Sequence, residues 1–165
     1  MTIHPRICLP LLTLLAGWGS AAEAGTVQTT MNVSATVQSS CLVSAAPMVF
    51  GSYDPTSATP TNATGLITVT CTTGTNFVVG LNAGTAAGAT VSTRQMSNAA
   101  QRLNYGLFTD ASRTSNWGNT SGVDALPPIT ATLTPSVITV YGQIAAQQNV
   151  PAGAYSDTVT VTVTY

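Results

Sequence analysis

The chain closes on Thr158-Val-Thr-Val-Thr-Val-Thr-Tyr165, a strict alternation of hydroxyl and apolar side chains. A period of two places Val159, Val161, Val163 and Tyr165 on one face of a strand and the threonines on the other. Near the other end, Val27, Met31, Val33, Ala35 and Val37 share a parity, with Thr29 filling the gap. The residues between them, Gln28, Thr30, Asn32, Ser34, Thr36 and Gln38, are all polar. Gly25–Ser39 is therefore expected to form one long strand with a single apolar face, and Tyr155–Tyr165 another. Nothing after Tyr165 supplies a hairpin partner. The two outer strands are expected to pair either within one molecule or between molecules, and that choice decides the function.

The sequence between them is punctuated in the same way. Cys41–Val43 and Met48–Phe50 flank Pro47, and a turn-rich stretch runs from Gly51 to Gly65. Strands are expected at Leu66–Cys71, Phe77–Leu81, Val91–Met96, Leu103–Thr109, Ile129–Leu133 and Val137–Ile144, with Gly142 a bulge or a point of close packing. No ten-residue window carries a convincing helical period. About seven to nine short strands with turns between them describe an all-β sandwich.

Met1–Arg6 is weakly basic, Ile7–Ala16 is mostly apolar, and Ala22-Glu23-Ala24 ends a run of small residues. This is the layout of a secretory signal peptide, with residues 1–24 removed before Gly25, and the apolar run is too short to span a membrane as a helix. Export is the expectation. The remaining chain then holds no histidine, lysine or glutamate, and its charges are Arg94, Arg102 and Arg113 against Asp54, Asp110, Asp124 and Asp157. Over the full chain 5% of residues are charged, where globular domains carry about a quarter. So little charge, with many Thr, Ala, Val and Gly, suits a sheet protein that packs against copies of itself. It offers no basic stripe for nucleic acid. Cys41 and Cys71 are the cysteines left after export, and in an oxidising compartment they read as a disulfide. Closing that ring is worth about 3–4 kcal/mol by chain entropy. Neither histidine nor a further cysteine is present to complete a metal shell, and no cofactor motif appears.

Three other classes fit the sequence less well. An enzyme would need a general base, and with no histidine or lysine the usual nucleophile pairs are missing. Each aspartate sits in turn-like sequence, where Asp caps backbone amides; Asp110–Arg113 reads as a capped turn with a surface ion pair. A small outer-membrane barrel would also end in an aromatic residue, but it needs aromatic girdles, and only 6% of this chain is aromatic. A secreted ligand-binding module would use Trp117 as an exposed stacking platform, whereas the plainer role for Trp117 is to lid one end of the sandwich.

Four stretches together resemble the spore coat protein U domain family, which includes pilin subunits of archaic chaperone–usher pili. They are Met31-Asn-Val-Ser-Ala-Thr-Val-Gln-Ser-Ser-Cys41; Met48-Val-Phe-Gly-Ser-Tyr-Asp54 with Ile67-Thr-Val-Thr-Cys71; Leu103-Asn-Tyr-Gly-Leu-Phe-Thr-Asp-Ala-Ser-Arg-Thr114; and Tyr141-Gly-Gln-Ile144 with Pro151-Ala-Gly-Ala-Tyr-Ser-Asp157. The resemblance implies a structural protein whose residues 40–165 form an incomplete immunoglobulin-like β-sandwich lacking its last strand, completed by donor-strand complementation. It implies a groove beside Thr158–Tyr165, filled first by a periplasmic chaperone and then, at an outer-membrane usher, by the leading segment of the next subunit. Carried onto this chain, residues 25–39 are the donor extension, with Val27, Met31, Val33, Ala35 and Val37 as its inserted face. Val159, Val161 and Val163, with Tyr165 at the strand's end, belong to the acceptor side, while Cys41, Cys71, Tyr105 and Leu107 belong to the body. The implied destination is a cell-surface fimbrium serving adhesion and biofilm formation, or a spore-type coat.

Overall fold

The computed structural model describes residues 23–165; the signal-peptide expectation over residues 1–24 lies, except for its last two positions, outside the described residues. The chain divides into two units, Met1–Ala35 and Thr36–Tyr165. In the described part of the first, no ladder is assigned, and Val27, Met31 and Val33 are exposed, Val27 to 99%. The expected strand over Gly25–Ser39 is thus not formed, because a strand exists only with a partner to accept its hydrogen bonds.

The second unit is built of strands: β1 (Cys41–Ala45), β2 (Thr61–Cys71), β3 (Asn76–Leu81), β4 (Arg94–Asn98), β5 (Gln101–Phe108), β6 (Ile129–Thr130), β7 (Ser136–Ile144) and β8 (Val161–Thr164). They form two antiparallel sheets, one in the order β1-β2-β7-β5-β4 and the other in the order β6-β3-β8. Alternation selects the inner faces. In β5, Leu103, Tyr105 and Leu107 are buried while Asn104 is exposed, and in β2 Ile67 and Val69 are buried between Leu66 and Thr70, which face water. From the smaller sheet Phe77, Val79 and Leu81 meet them. Each of these side chains contributes about 1.5–3 kcal/mol on burial, so the core alone accounts for why the two sheets stay stacked.

Polar anchors fix the ends. Trp117 is fully buried, its amide donating to the Leu107 carbonyl at 2.8 Å and its indole Nε1 to the Val79 carbonyl at 2.9 Å. It closes one end of the sandwich and offers no exposed platform. Arg94, 0% exposed, donates its guanidinium to the carbonyls of Asn82 (2.8 Å), Val91 (2.6 Å), Leu81 (2.8 Å) and Trp117 (2.7 Å). The Asp110 turn is capped as expected, the carboxylate accepting the Ser115 and Thr114 amides. The ion pair with Arg113 is not formed. Arg113 instead donates to the Ala111 and Gly142 carbonyls and lies over the Tyr141 ring.

Several expected boundaries move: β4 is Arg94–Asn98 where Val91–Met96 was expected, and β6 ends at Thr130, short of Leu133. The stretch before Gly65 is turn-rich in sequence, but from Thr61 onward it is the first half of β2, paired in unbroken register with β7 from Thr61↔Ile144 to Val69↔Ser136. Gly142 stands opposite Ala63 without a bulge. A Cβ there would lie 2.8 Å from Phe50 Cζ and closer still to Met48 Sδ, so its role is close packing. The last strand is β8, only Val161–Thr164, not Tyr155–Tyr165. Its start is delayed because the preceding residues are held elsewhere: Ser156 bridges to Ser97 of β4, in the opposite sheet, before the chain crosses to β3.

Candidate functional site

Among the described residues β1 pairs with β2 alone and β8 pairs with β3 alone, so each has one edge outside any ladder there. The two edge strands come near one another at the seam between the sheets without sharing a ladder. Beside them opens a cleft of about 560 Å³.

One wall follows from the end of β1. Ala46 still donates to the Leu66 carbonyl at 2.8 Å. Pro47 then brings no N–H and the ladder ends. Freed from the sheet, the chain lays Met48 and Phe50 over Gly65 and Gly142, where absent side chains make the room. The other wall is Tyr155–Val161, which leaves β4 at Ser156 and reaches β3 at Thr160, where the Asn82 amide donates to the Thr160 carbonyl (3.1 Å) and the Thr160 amide to Asn82 Oδ1 (2.8 Å). The floor is core: Ile67, Leu81, Tyr105, Leu107 and Val140 all reach the cleft. A second cleft of about 570 Å³ continues past Met48 and Phe50, between Met48–Tyr53 and Val150–Tyr155, and shares Met48, Phe50, Met96 and Tyr155 with the first. Core side chains thus line an open, exposed apolar trough.

The lining of the trough holds one charged side chain, Asp157. Asp157 accepts Tyr105 Oη at 2.7 Å and, on its other oxygen, the Thr85 amide (2.8 Å), Thr85 Oγ1 (2.8 Å) and its neighbour's amide from Thr158 (2.8 Å). Partial burial disfavours the Asp157 charge, but these hydrogen bonds outweigh it and hold the carboxyl below the usual range. Burial, with the Asp157 carboxylate as acceptor, pushes the Tyr105 phenol far up. Burial also lowers Arg94, offset by Tyr105, Asp124 and Asp157. The site carries no nucleophile–base pair. It presents an apolar trough rimmed by β1 and β8, each paired on one side only among the described residues.

Of the residues expected here, Val159 and Val161 line the cleft. Val163 is half-buried against the core farther along β8, and Tyr165, past the strand's end, is 58% exposed. Cys41 and Cys71 are bonded, as ladder partners in β1 and β2. Val37, like the residues before it, is exposed, as is Ala35. The sequence reading gave no site role to Met48, Phe50, Tyr105 or Asp157. Met48 and Phe50 had a signal in the break at Pro47; the partners of Tyr105 and Asp157 lie 52 positions apart and had none.

Comparison with known proteins bears on the same residues. The profile of the Spore Coat Protein U domain matches residues 27–162. Protein U of Myxococcus xanthus is 39% identical over 161 residues, covering 88% of this chain and 89% of that protein. Among solved structures, the chain resembles the CsuC–CsuE chaperone–tip adhesion subunit pre-assembly complex from archaic chaperone-usher Csu pili of Acinetobacter baumannii, with a TM-score of 0.55 and 27% identity over 79% of this chain. This chain spans 41% of the length of that solved chain. With the domain profile running through both rims of the trough, and a relative alike over nearly its whole length, the chain belongs to the Spore Coat Protein U domain family.

Proposed function

We propose that the chain is an exported structural subunit of a surface fibre of the archaic chaperone–usher kind, completed and linked by a strand from a neighbouring copy. The observation that supports it most directly is the edge of β8 that, among the described residues, stands unpaired beside an open apolar trough, in a chain whose Gly25–Ser39 segment carries a matching apolar face and joins no ladder among those residues. Inserting a strand pairs its backbone along an exposed edge while alternate side chains fill the trough. Val27, Met31, Val33, Ala35 and Val37 at about 1.5–3 kcal/mol each set an upper bound of order 10 kcal/mol, less the entropy of ordering the segment. Completing a core this way makes release slow and the fibre kinetically durable.

The same trough, left empty, invites aggregation. This fits a periplasmic chaperone as first partner, with an outer-membrane usher delivering the next subunit; the likeness to a chaperone–subunit complex supports the first of these. Adhesion and biofilm formation are the roles such a fibre serves. The four aspartates are engaged in capping turns and holding the trough wall, in keeping with a structural rather than catalytic role. The match to the Spore Coat Protein U domain over residues 27–162 favours a second destination, a coat assembled by the same strand exchange; copurification of a chaperone and an usher with the exported protein selects the pilus.

Deleting residues 25–39 tests the mechanism. The shortened chain is expected to melt lower than the full one, to stay monomeric, and to regain stability when a synthetic Gly25–Ser39 peptide is added. A shortened chain that melts with the full one and ignores the peptide refutes strand donation.

A further inference from the structure

The trough raises a physical question of its own. Its walls, Met48–Phe50 on one side and Tyr155–Val161 on the other, share no ladder. Both carry apolar side chains, and bringing them together would remove those side chains from water, so an empty trough tends to close. Something has to oppose that closure if a strand is to enter.

Tyr105 touches both walls. Tyr105 rises from the floor on β5, and its ring meets that of Phe50 edge to face, with centroids 6.2 Å apart and planes at 66°. Its hydroxyl donates to Asp157 on the opposite wall at 2.7 Å. Both ends are themselves anchored. Phe50 is seated over Gly142, and Asp157 is held from outside the trough by the Thr85 amide and hydroxyl. Tyr105 is only 8% exposed, so parting its hydroxyl from Asp157 leaves a buried donor unsatisfied. Rotating the ring instead forfeits the aromatic contact.

We propose that Tyr105 is a strut that sets the width of the trough, its ring against Phe50 and its hydroxyl on Asp157, so that the empty trough stays open to an incoming strand. This rests on the strand-donation reading. Tyr105 is a positioning residue. It acts before the strand arrives, because an inserted strand holds the walls apart by itself. The strut therefore governs the rate of entry and leaves the rate of release alone, since its loss shrinks the fraction of chains open to capture.

The test follows capture and release of a fluorescent Gly25–Ser39 peptide by the full exported chain. Tyr105→Phe removes only the hydroxyl and keeps the ring. It is expected to slow capture about tenfold with release unchanged within about twofold. Asp157→Asn is expected to slow capture in the same sense. Thr130→Val, which removes a side-chain hydrogen bond to Asn76 on the smaller sheet, is the control and is expected to leave capture unchanged. Capture by Tyr105→Phe at the wild-type rate, an effect on release alone, or equal slowing by Thr130→Val overturns the strut while leaving strand donation standing. A wild-type chain that stays monomeric and still captures no peptide takes down both.

Discussion

Arg94 shows how far a single side chain reaches here. Its guanidinium is out of contact with water and has no carboxylate partner among the described residues, but it satisfies four carbonyls from three stretches of chain around the end of β3. A planar fork of donors can do this where a lysine cannot. Arg94→Met keeps much of the packing and abandons those carbonyls, each costing about 1–3 kcal/mol if left unpaired. The variant is expected to lose about 3 kcal/mol or more in denaturant unfolding; a loss under about 1 kcal/mol would mean that water replaces the guanidinium. The sequence marked this arginine only as one of few charges. Its role was illegible because Leu81, Val91 and Trp117 meet only in the folded molecule.

At the scale of elements, alternation located the strands but not their ends. β3, β5 and β7 lie within a residue or two of where period two put them, because each keeps one face against the core. β2 runs longer than expected because Ala63 and Gly65 look like turn residues by themselves. In place, their small size admits Met48. β8 runs shorter because Tyr155–Asp157 is drawn to β4 and to the Thr85 loop. The β1–β2 pair carries the Cys41–Cys71 bond between facing partners. With β1 an edge strand beside the trough, the bond secures a rim that pairs on one side only. Replacing both cysteines with serine is expected to cost about 3–4 kcal/mol, and reduction should lower the melting temperature of the wild type but not of the double variant. Equal melting of oxidised and reduced wild type would show that the β1–β2 ladder holds without the bond.

Over the whole molecule, acid should act through carboxylates whose folded pKa is depressed. Asp157 is held low by Thr85, Tyr105 and Thr158 against the cost of burial, and Asp54 and Asp110 are held low by hydrogen bonds from Thr56 and Ser112 respectively. A group lowered in the folded state contributes stability above its unfolded pKa and loses it as pH falls through the folded value. Thermal stability is therefore expected to be level from neutrality to about pH 5 and to descend below about pH 4. Asp157→Asn should descend less steeply. Of the other charged groups near that site, Tyr105 is pushed up and Arg94 stays a cation at these pH values, so neither titrates there. A descent unchanged by Asp157→Asn would place the acid response on the surface turns alone.

The sequence by itself determined the class of fold, the paired cysteines and the mismatch between two well-patterned terminal segments. Those properties depend on side-chain period and composition, which are local. Only the tertiary structure decided that β8 keeps a free edge, that Met48 and Phe50 leave the sheet to build a wall, and that Tyr105 spans to Asp157. These follow from which distant residues are brought to the same few ångströms, and packing against the opposite sheet, not any local preference, sets that meeting.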